Sequence, residues 1–438
     1  MSPTFEQRLR SALGESCLAE GLPAALAPFT EGERSDAPYE DIDDRALLGL
    51  ARALASRPDT GRFLSHRSGL MLRLAALDAD ALADREAELG PEAAQIAELD
   101  LEDALDALRV RRREEMIVAA CADLGGLVPF SVISRFLSIL AETTTQCALS
   151  LARSASGGEG EIFSVIGMGK IAGREFTYHS DLDLIFLYSG GPERMARASR
   201  MGQRLIAYLM TMTGAGVAYA VDTRLRPSGQ QGMLVTSYDA FERYQTGTAE
   251  TWEHLAMLRA RAIAGDVRDG EAVLARVRTE VLQHRFAPWP LLAELRDRVE
   301  RERAPESKDA IALKTGPGGL MDVDFLAGGG LLERGTSDYP EKPSVEAMLR
   351  ACVNGSRVDR LIADYDLLRS IEARARWIAG RGVEQLQTQP QSIAILAELV
   401  LPGLSPAALL ERVGSAQTGI REAWSSVVAA ASIAALED

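Results

Sequence analysis

Asp181 and Asp183 stand two residues apart in Ser180-Asp-Leu-Asp-Leu-Ile-Phe-Leu-Tyr188, a segment otherwise almost wholly apolar. Such a run reads as a strand. Strand side chains alternate between faces, so Asp181 and Asp183 share one face with Ile185 and Leu187, while Leu182, Leu184 and Phe186 take the other. Two carboxylates on so apolar a strand need compensation, because leaving them unpaired away from water costs on the order of several kcal/mol. Divalent cations or arginines are the natural partners, and the spacing suits a two-metal site for nucleotidyl transfer.

Two further patterns support that chemistry. Gly167-Met-Gly-Lys-Ile-Ala-Gly173 matches neither G-x-G-x-x-G, since its third glycine comes one residue late, nor a Walker A loop, since Ile171 follows Lys170. Its place between a strand and a short helix still lets backbone N–H groups approach phosphate oxygens, with Lys170 adding charge. Asp222, Arg224 and Arg226 in Val221-Asp-Thr-Arg-Leu-Arg-Pro227 fall at i, i+2, i+4 and share a face if the segment is a strand. Asp222 then supplies a third carboxylate for Mg²⁺, and the arginines offset pyrophosphate charge or orient the acids. A structural Asp–Arg ladder is the competing reading.

Three carboxylates beside a glycine turn define the nucleotidyltransferase site of the DNA polymerase β type, and longer segments narrow the resemblance. These are Gly167-Met-Gly-Lys-Ile-Ala-Gly-Arg-Glu175 with His179-Ser-Asp-Leu-Asp183, Val221-Asp-Thr-Arg-Leu-Arg-Pro-Ser-Gly229 with Gly232-Met-Leu-Val-Thr-Ser237, Thr251-Trp-Glu-His254, Arg259-Ala-Arg261, and Leu313-Lys-Thr-Gly-Pro-Gly-Gly-Leu-Met-Asp-Val-Asp-Phe325. Together they resemble the glutamine synthetase adenylyltransferase family over about residues 100–330. Leu108 to Ala152, with Arg113-Glu-Glu115 and Asp123-Leu-Gly-Gly126, resembles the helical segment before that family's catalytic domain.

The resemblance implies Mg²⁺-dependent transfer of AMP from ATP to a tyrosine of glutamine synthetase, down-regulating nitrogen assimilation. Complete members carry two related halves, one adenylylating and one removing AMP by phosphorolysis. This chain has length for one, and its Arg-Leu-Arg-Pro-Ser-Gly and Thr-Trp-Glu-His forms look like the adenylylating half. Phosphorolytic removal of AMP is the alternative direction. A catalytically weak module that binds a PII signalling protein or glutamine synthetase is the alternative of a different class.

On this reading Asp181, Asp183 and Asp222 are catalytic and hold the metals, with Asp222 the candidate proton acceptor. Ser180 and Lys170 contact the β- and γ-phosphates, Gly167 and Gly169 border the nucleotide, and Arg224 and Arg226 give electrostatic support. His179 reads as structural or solvated, and Trp252 and His254 as core or supporting groups. Lys314 with Asp322 and Asp324 either closes the site or forms a salt-bridged turn. Three departures from the family pattern stand out: Ala172 for a common glycine, Asp324 for the glutamate of Asp-x-Glu, and Gly328-Gly-Gly330 where a glutamine-containing helix is usual. The last puts the C-terminal interface in question.

Positioning these residues calls for an α+β fold, a small mixed-sheet nucleotidyltransferase domain of the polymerase β type flanked by helical N-terminal and C-terminal domains. The expected divisions are 1–153, 154–287 and 288–438. Strands are expected at Ile162–Ile166, Leu182–Tyr188 and Val217–Leu225, with a helix at Arg197–Met212 packed behind them. Ser154 to Gly160 reads as a linker and Thr30 to Tyr39 as a polar loop. Pro288 and Pro290 interrupt the chain before helical patterns at Leu291–Arg303 and Val358–Gly380, and the alanine-rich Val427–Leu436 reads as a packed helix.

Composition sets outer limits. The net charge of −15, from 48 Lys and Arg against 63 Asp and Glu, argues against a broad nucleic-acid-binding surface. Arg109, Arg111, Arg112 and Arg113 are expected to form a solvated helix face paired with Glu114 and Glu115. Cys17, Cys121, Cys147 and Cys352 are widely spread without a Cys-x-x-Cys pair, which suits buried reduced thiols. The N-terminus lacks an apolar signal core, and no run reaches the roughly 18 apolar residues of a membrane span. A cytoplasmic protein with no nucleic-acid or membrane partner is the expectation.

Overall fold

The computed structural model describes residues 4–29, 42–283, 288–304, 307, 309–335, 339–341, 343–353 and 355–437. The loop expected at Thr30–Tyr39 lies outside them. At the centre is a five-stranded sheet of β1 (Phe163–Gly167), β2 (Leu182–Tyr188), β3 (Val221–Asp222), β4 (Val235–Ser237) and β5 (Arg261–Gly265). β1 is antiparallel to both β2 and β5, whereas β3 and β4 run parallel to successive stretches of β2.

The period-two pattern of β2 divides the protein interior. Leu182, Leu184 and Phe186 join one core, built with Phe163, Val165 and residues of the helices Leu101–Leu124, Phe130–Ala155 and Pro192–Met210. Ile185 and Leu187 join a second core with Phe241, Leu274 and the C-terminal helices. The sheet is thus buried on both faces, which is why its central strand is apolar nearly throughout. Asp181 and Asp183 sit at the start of the second face.

One C-terminal helix, Ser356–Ala379, crosses from one core to the other. Its Leu368 and Ile371 pack in the second core, while Ala373 and Trp377 pack in the first. This crossing brings its polar side chains against the end of the sheet that carries Asp181 and Asp183. The Gly328-Gly-Gly330 run does not break its helix, Leu320–Arg334. A Cβ on Gly328 would lie 2.2 Å from Leu255 Cδ2, and one on Gly330 would lie 2.6 Å from Cys352 Cβ. The run costs helix propensity, about 1 kcal/mol per glycine relative to alanine, and permits this close approach in exchange.

Three expectations need correction. The strand expected over Val217–Leu225 reduces to Val221–Asp222, because Arg226 N bonds back to Thr223 O at 3.3 Å and turns the chain ahead of Pro227. The arginine cluster is not a solvated face. Arg109 is 1% exposed and donates to the carbonyls of Leu105, Tyr208, Thr211 and Gly216, while Arg111 is buried against Glu92 and Leu89 O. Glu114 and Glu115 pair instead with Arg67, Arg73 and Arg85 from other helices. Cys121 and Cys147 are buried as expected, with burial pushing the Cys147 thiol up to about 11, but Cys17 is exposed and Cys352 only half-buried. Among the described residues no helix is long and apolar enough to cross a membrane.

Candidate active site

β1 ends in the glycine turn, and the short helix Gly169–Ala172 follows. Gly169 has φ +54°, and a Cβ there would lie 2.7 Å from Asp183 Oδ2. Both facts require glycine, and they place the turn directly on the carboxylate. Met168 N donates to Asp183 O at 2.9 Å, locking the turn to β2.

Asp183 and Asp222 face each other in register on parallel β2 and β3, with Asp181 one step back along the same face of β2. Burial raises the Asp183 carboxyl, and the neighbouring Asp222 and Asp181 raise it further; Lys314 and Lys170 oppose them, leaving it at about 6. Asp222 moves the other way. Arg224 Nε donates to both its oxygens, at 3.0 and 2.8 Å, and this hydrogen bonding holds its carboxyl below the ordinary range. Asp181 is exposed. The three acids therefore meet electrostatically, yet among the described residues no group of three His, Cys, Asp or Glu side chains is gathered tightly enough to hold a metal ion. Asp222 is turned onto Arg224. The hard oxygen donors of Asp181 and Asp183 fit the chemistry of Mg²⁺, and Asp222 would join them if Arg224 left it.

Lys170 is half-buried and paired. Its Nζ lies 2.7 Å from both carboxylate oxygens of Glu372, on the crossing helix. Burial opposes charge on Glu372, but Lys170 and Arg376 prevail and hold it down to about 2. Ser180 is also engaged: its Oγ accepts from Thr177 N at 3.2 Å and from Arg376 Nη1 at 3.3 Å. Gly167 closes β1 against Ile171 and Ile263. Arg226 donates to Thr223 O and Gly232 O, shaping the loop after β3.

The loop between the glycine turn and β2 is tied from both ends of the chain. Glu175 pairs with Arg259 and accepts from Val345 N at 2.9 Å, and Arg369 donates to Glu175 O and to Ser134 Oγ. Tyr178 OH donates to Asp123 Oδ2 at 3.2 Å, while Arg374 Nη2 donates to the other oxygen at 2.7 Å. His179, in left-handed backbone at φ +52°, lies 2.8 Å from Arg57 Nη1. Burial, then Arg112, Arg57 and Arg376, lower its pKa to about 3, so it stays neutral and accepts that bond.

Asp181 lies in the walls of two cavities. One, of about 900 Å³, continues to Arg376 and Gly382–Gln387; the other, of about 370 Å³, is bounded by Arg57, Arg112, His179 and Tyr219. Of the outlying sequence candidates, Asp322 pairs with buried Arg296 and Asp324 with Arg259, so both are structural. Lys314 is exposed, and its charge acts on both Asp183 and Asp324. His254 bonds Gln245 O, as expected of a supporting group, but Trp252 is 39% exposed rather than core. Glu372 and Arg376 were not legible as site residues. Their i, i+4 spacing marks an ordinary helical ion pair, and only the crossing of the two cores brings them to Lys170 and Ser180.

A glycine turn feeding a carboxylate-bearing central strand, in a small mixed sheet flanked by helices, defines an α+β nucleotidyltransferase fold. Residues 62–276 match the family model for glutamate-ammonia ligase adenylyltransferase. The chain is 38% identical to the bifunctional glutamine synthetase adenylyltransferase/adenylyl-removing enzyme of Thioalkalivibrio sulfidiphilus, over 56% of this chain and 28% of the relative. Proteins of the same name from Nitrosococcus oceani and Hahella chejuensis are 36% and 35% identical, over 68% and 60% of this chain and 34% and 30% of theirs. The chain thus spans about a third of the length of these relatives.

Proposed function

We propose that this protein transfers AMP from ATP to a tyrosine of glutamine synthetase in the cytoplasm, with Mg²⁺ as cofactor. The observation that carries the reading is the register pairing of Asp183 with Asp222, beside Asp181 and a glycine turn that only glycine can make. The match of residues 62–276 to the family model supports the acceptor, and the Arg224-Leu-Arg-Pro-Ser-Gly229 and Thr251-Trp-Glu-His254 segments favour the adenylylating direction.

In the proposed reaction the phenol oxygen forms a bond to the α-phosphorus, the bond from that phosphorus to the bridging oxygen breaks, and pyrophosphate leaves. Asp181, Asp183 and Asp222 hold Mg²⁺, which when bound neutralises phosphate charge and favours the phenolate. Arg224, whose side chain is 64% exposed, moves from Asp222 to the entering phosphates. That exchange frees Asp222 to take the phenol's proton. Gly167 and Gly169 let the turn approach the nucleotide. Lys170, fixed by Glu372, supports the turn, and Lys314 supplies the mobile positive charge near the α-phosphate.

Mass spectrometry of glutamine synthetase incubated with this protein and Mg²⁺-ATP tests the proposal. One AMP on a tyrosine is the expected result. An unmodified acceptor, together with loss of AMP from adenylylated glutamine synthetase in the presence of phosphate, would reverse the direction.

A further inference from the structure

The smaller cavity beside Asp181 is lined by neither the glycine turn nor Lys170, Arg224 or Arg226. It adjoins the carboxylate site through Ser180 and Asp181. Its wall includes Ala215 to Ala220, the segment leading straight into Asp222, which is the carboxylate assigned to the acceptor. The cavity therefore adjoins the segment that leads into β3 and Asp222.

Its charge is mainly positive. Arg57, Arg109, Arg112 and Arg113 line it with two acids, Asp181 and Asp59, and Asp59 is shared: Arg57 Nε donates to Asp59 Oδ1 at 2.9 Å and Arg113 Nη2 to Oδ2 at 3.3 Å. Arg112 has its guanidinium 4.5 Å from the Tyr219 ring centroid, with Nε buried and without a hydrogen-bond partner. His179 takes a bond from Arg57 while remaining neutral, so it orients that arginine without adding or cancelling charge. The strained His179 backbone is the kind of local conformation that surrounding contacts must enforce, and Arg57 enforces it.

We infer that this cavity is a subsite for an acidic side chain of the protein acceptor, an aspartate or glutamate close to the modified residue, held by Arg112 with Arg57 and Arg113. Planar guanidinium groups match a carboxylate in two parallel hydrogen bonds, and stacking on Tyr219 keeps Arg112 aimed. The inference rests on the proposed protein acceptor, but not on which protein it is.

The test uses the full chain and two fluorescent tyrosine peptides, one with aspartates flanking the tyrosine and one with asparagines. Anisotropy measures their binding, and Mg²⁺-ATP affinity is measured in parallel. The aspartate peptide is expected to bind roughly tenfold more tightly at low salt, and Arg112→Gln to abolish that preference, with Mg²⁺-ATP affinity unchanged. Arg113→Gln, at the open edge of the cavity, gives the same readout if Arg112→Gln does not fold. Equal binding of the two peptides by the unaltered protein overturns the subsite. So does a preference that survives both substitutions, and so does loss of Mg²⁺-ATP affinity in Arg112→Gln, which would make this a nucleotide phosphate site. An aspartate preference in a protein that leaves glutamine synthetase unmodified would sink the proposed function and leave the subsite standing.

Discussion

The segment Gly167–Asp183 and the segment Asp222–Gly232 supply the two sides of one carboxylate site, and they are held in opposite ways. The first is fixed by distant parts of the chain: Lys170 by Glu372, Glu175 by Arg259, Tyr178 by Asp123, and His179 by Arg57. The second folds back on itself, with Arg224 on Asp222 and Arg226 on Thr223 and Gly232. A side built from buried long-range pairs keeps its geometry whether or not ligand is present, whereas a side closed by an exposed arginine can exchange that partner for a ligand. The difference teaches which acids are ready for cations and which must first be released.

The fixed side carries the largest expected effect. Asp183→Asn should lower AMP transfer roughly 10²–10³-fold, the scale seen when a principal group stabilising charge is removed. The same change should stabilise the ligand-free protein. The Asp183 carboxyl is raised from 3.8 to about 6, so the folded state prefers the protonated form. The resulting penalty is absent below pH 3.8, grows between 3.8 and about 6, and is complete above. It amounts to about 3 kcal/mol at neutral pH. Thermal melts without Mg²⁺ check this: the variant should melt higher at pH 7.5, and the gap should close by about pH 4. Full transfer by the variant would remove Asp183 from the mechanism.

Next in size is the Lys170–Glu372 pair, which decides whether the fixed side really depends on the crossing helix. Glu372→Gln leaves Lys170 and Arg376 without the buried carboxylate they share and should destabilise by roughly up to 3–5 kcal/mol, the scale of breaking buried pairs. Replacing both residues by methionine should restore much of that loss, because hydrophobic packing substitutes for the pair. Since the Glu372 carboxyl is lowered from 4.5 to about 2, its contribution is complete above pH 4.5 and disappears as pH falls through about 2. Urea melts of the single and double variants at pH 7 and pH 3 test both statements. Equal stability of Glu372→Gln and the unaltered protein would show that the pair holds nothing together.

The same division explains what the sequence made legible. β2 was readable to the residue because its apolar run and two-residue period are local, and so was the sharing of one face by Asp181, Asp183, Ile185 and Leu187. The helices Leu291–Arg303 and Val358–Gly380 were readable within two residues for the same reason. Long-range structure was not. Glu372 lies 202 positions from Lys170, and nothing in the local pattern of an Arg-rich helix says that it crosses between two cores. The third strand failed for another reason: the i, i+2, i+4 spacing of Asp222, Arg224 and Arg226 fits a strand, but a turn lets Arg224 reach Asp222 directly, and charge pairing wins over extension. Arg109 and Arg111 looked solvated because arginine usually is, whereas here backbone carbonyls and Glu92 repay their burial.

Lys314 tests whether the mobile cation of the site comes from the C-terminal region and not from the glycine turn. It is exposed, and its charge acts on Asp183 and Asp324 across solvent-screened space, so Lys314→Ala should change thermal stability little. Transfer should fall by roughly tenfold, the equivalent of one charge-assisted contact of about 1.4 kcal/mol. Steady-state rates with Mg²⁺-ATP varied at saturating acceptor provide the check. Unchanged rates would return that task to Lys170.

Arg224→Gln has the smallest effect on folding and bears most directly on the contrast between the two sides. Arg224 is 64% exposed, so its ion pair with Asp222 is screened and its loss should change stability by less than about 1 kcal/mol. The hydrogen bonds it donates hold the Asp222 carboxyl low, and without them Asp222 should return toward its ordinary value while its oxygens become available. If Arg224 and Mg²⁺ compete for those oxygens, the nucleotide-free variant should bind Mg²⁺ more tightly, by roughly threefold to tenfold. Affinity for Mg²⁺-ATP should move the other way, because the arginine meant for the phosphates is gone. Calorimetric titration with MgCl₂ and then with ATP separates the two. Weaker Mg²⁺ binding without nucleotide would mean that Arg224 orients Asp222 for the metal instead of withholding it, and the self-closed side would then be as preorganised as the fixed one.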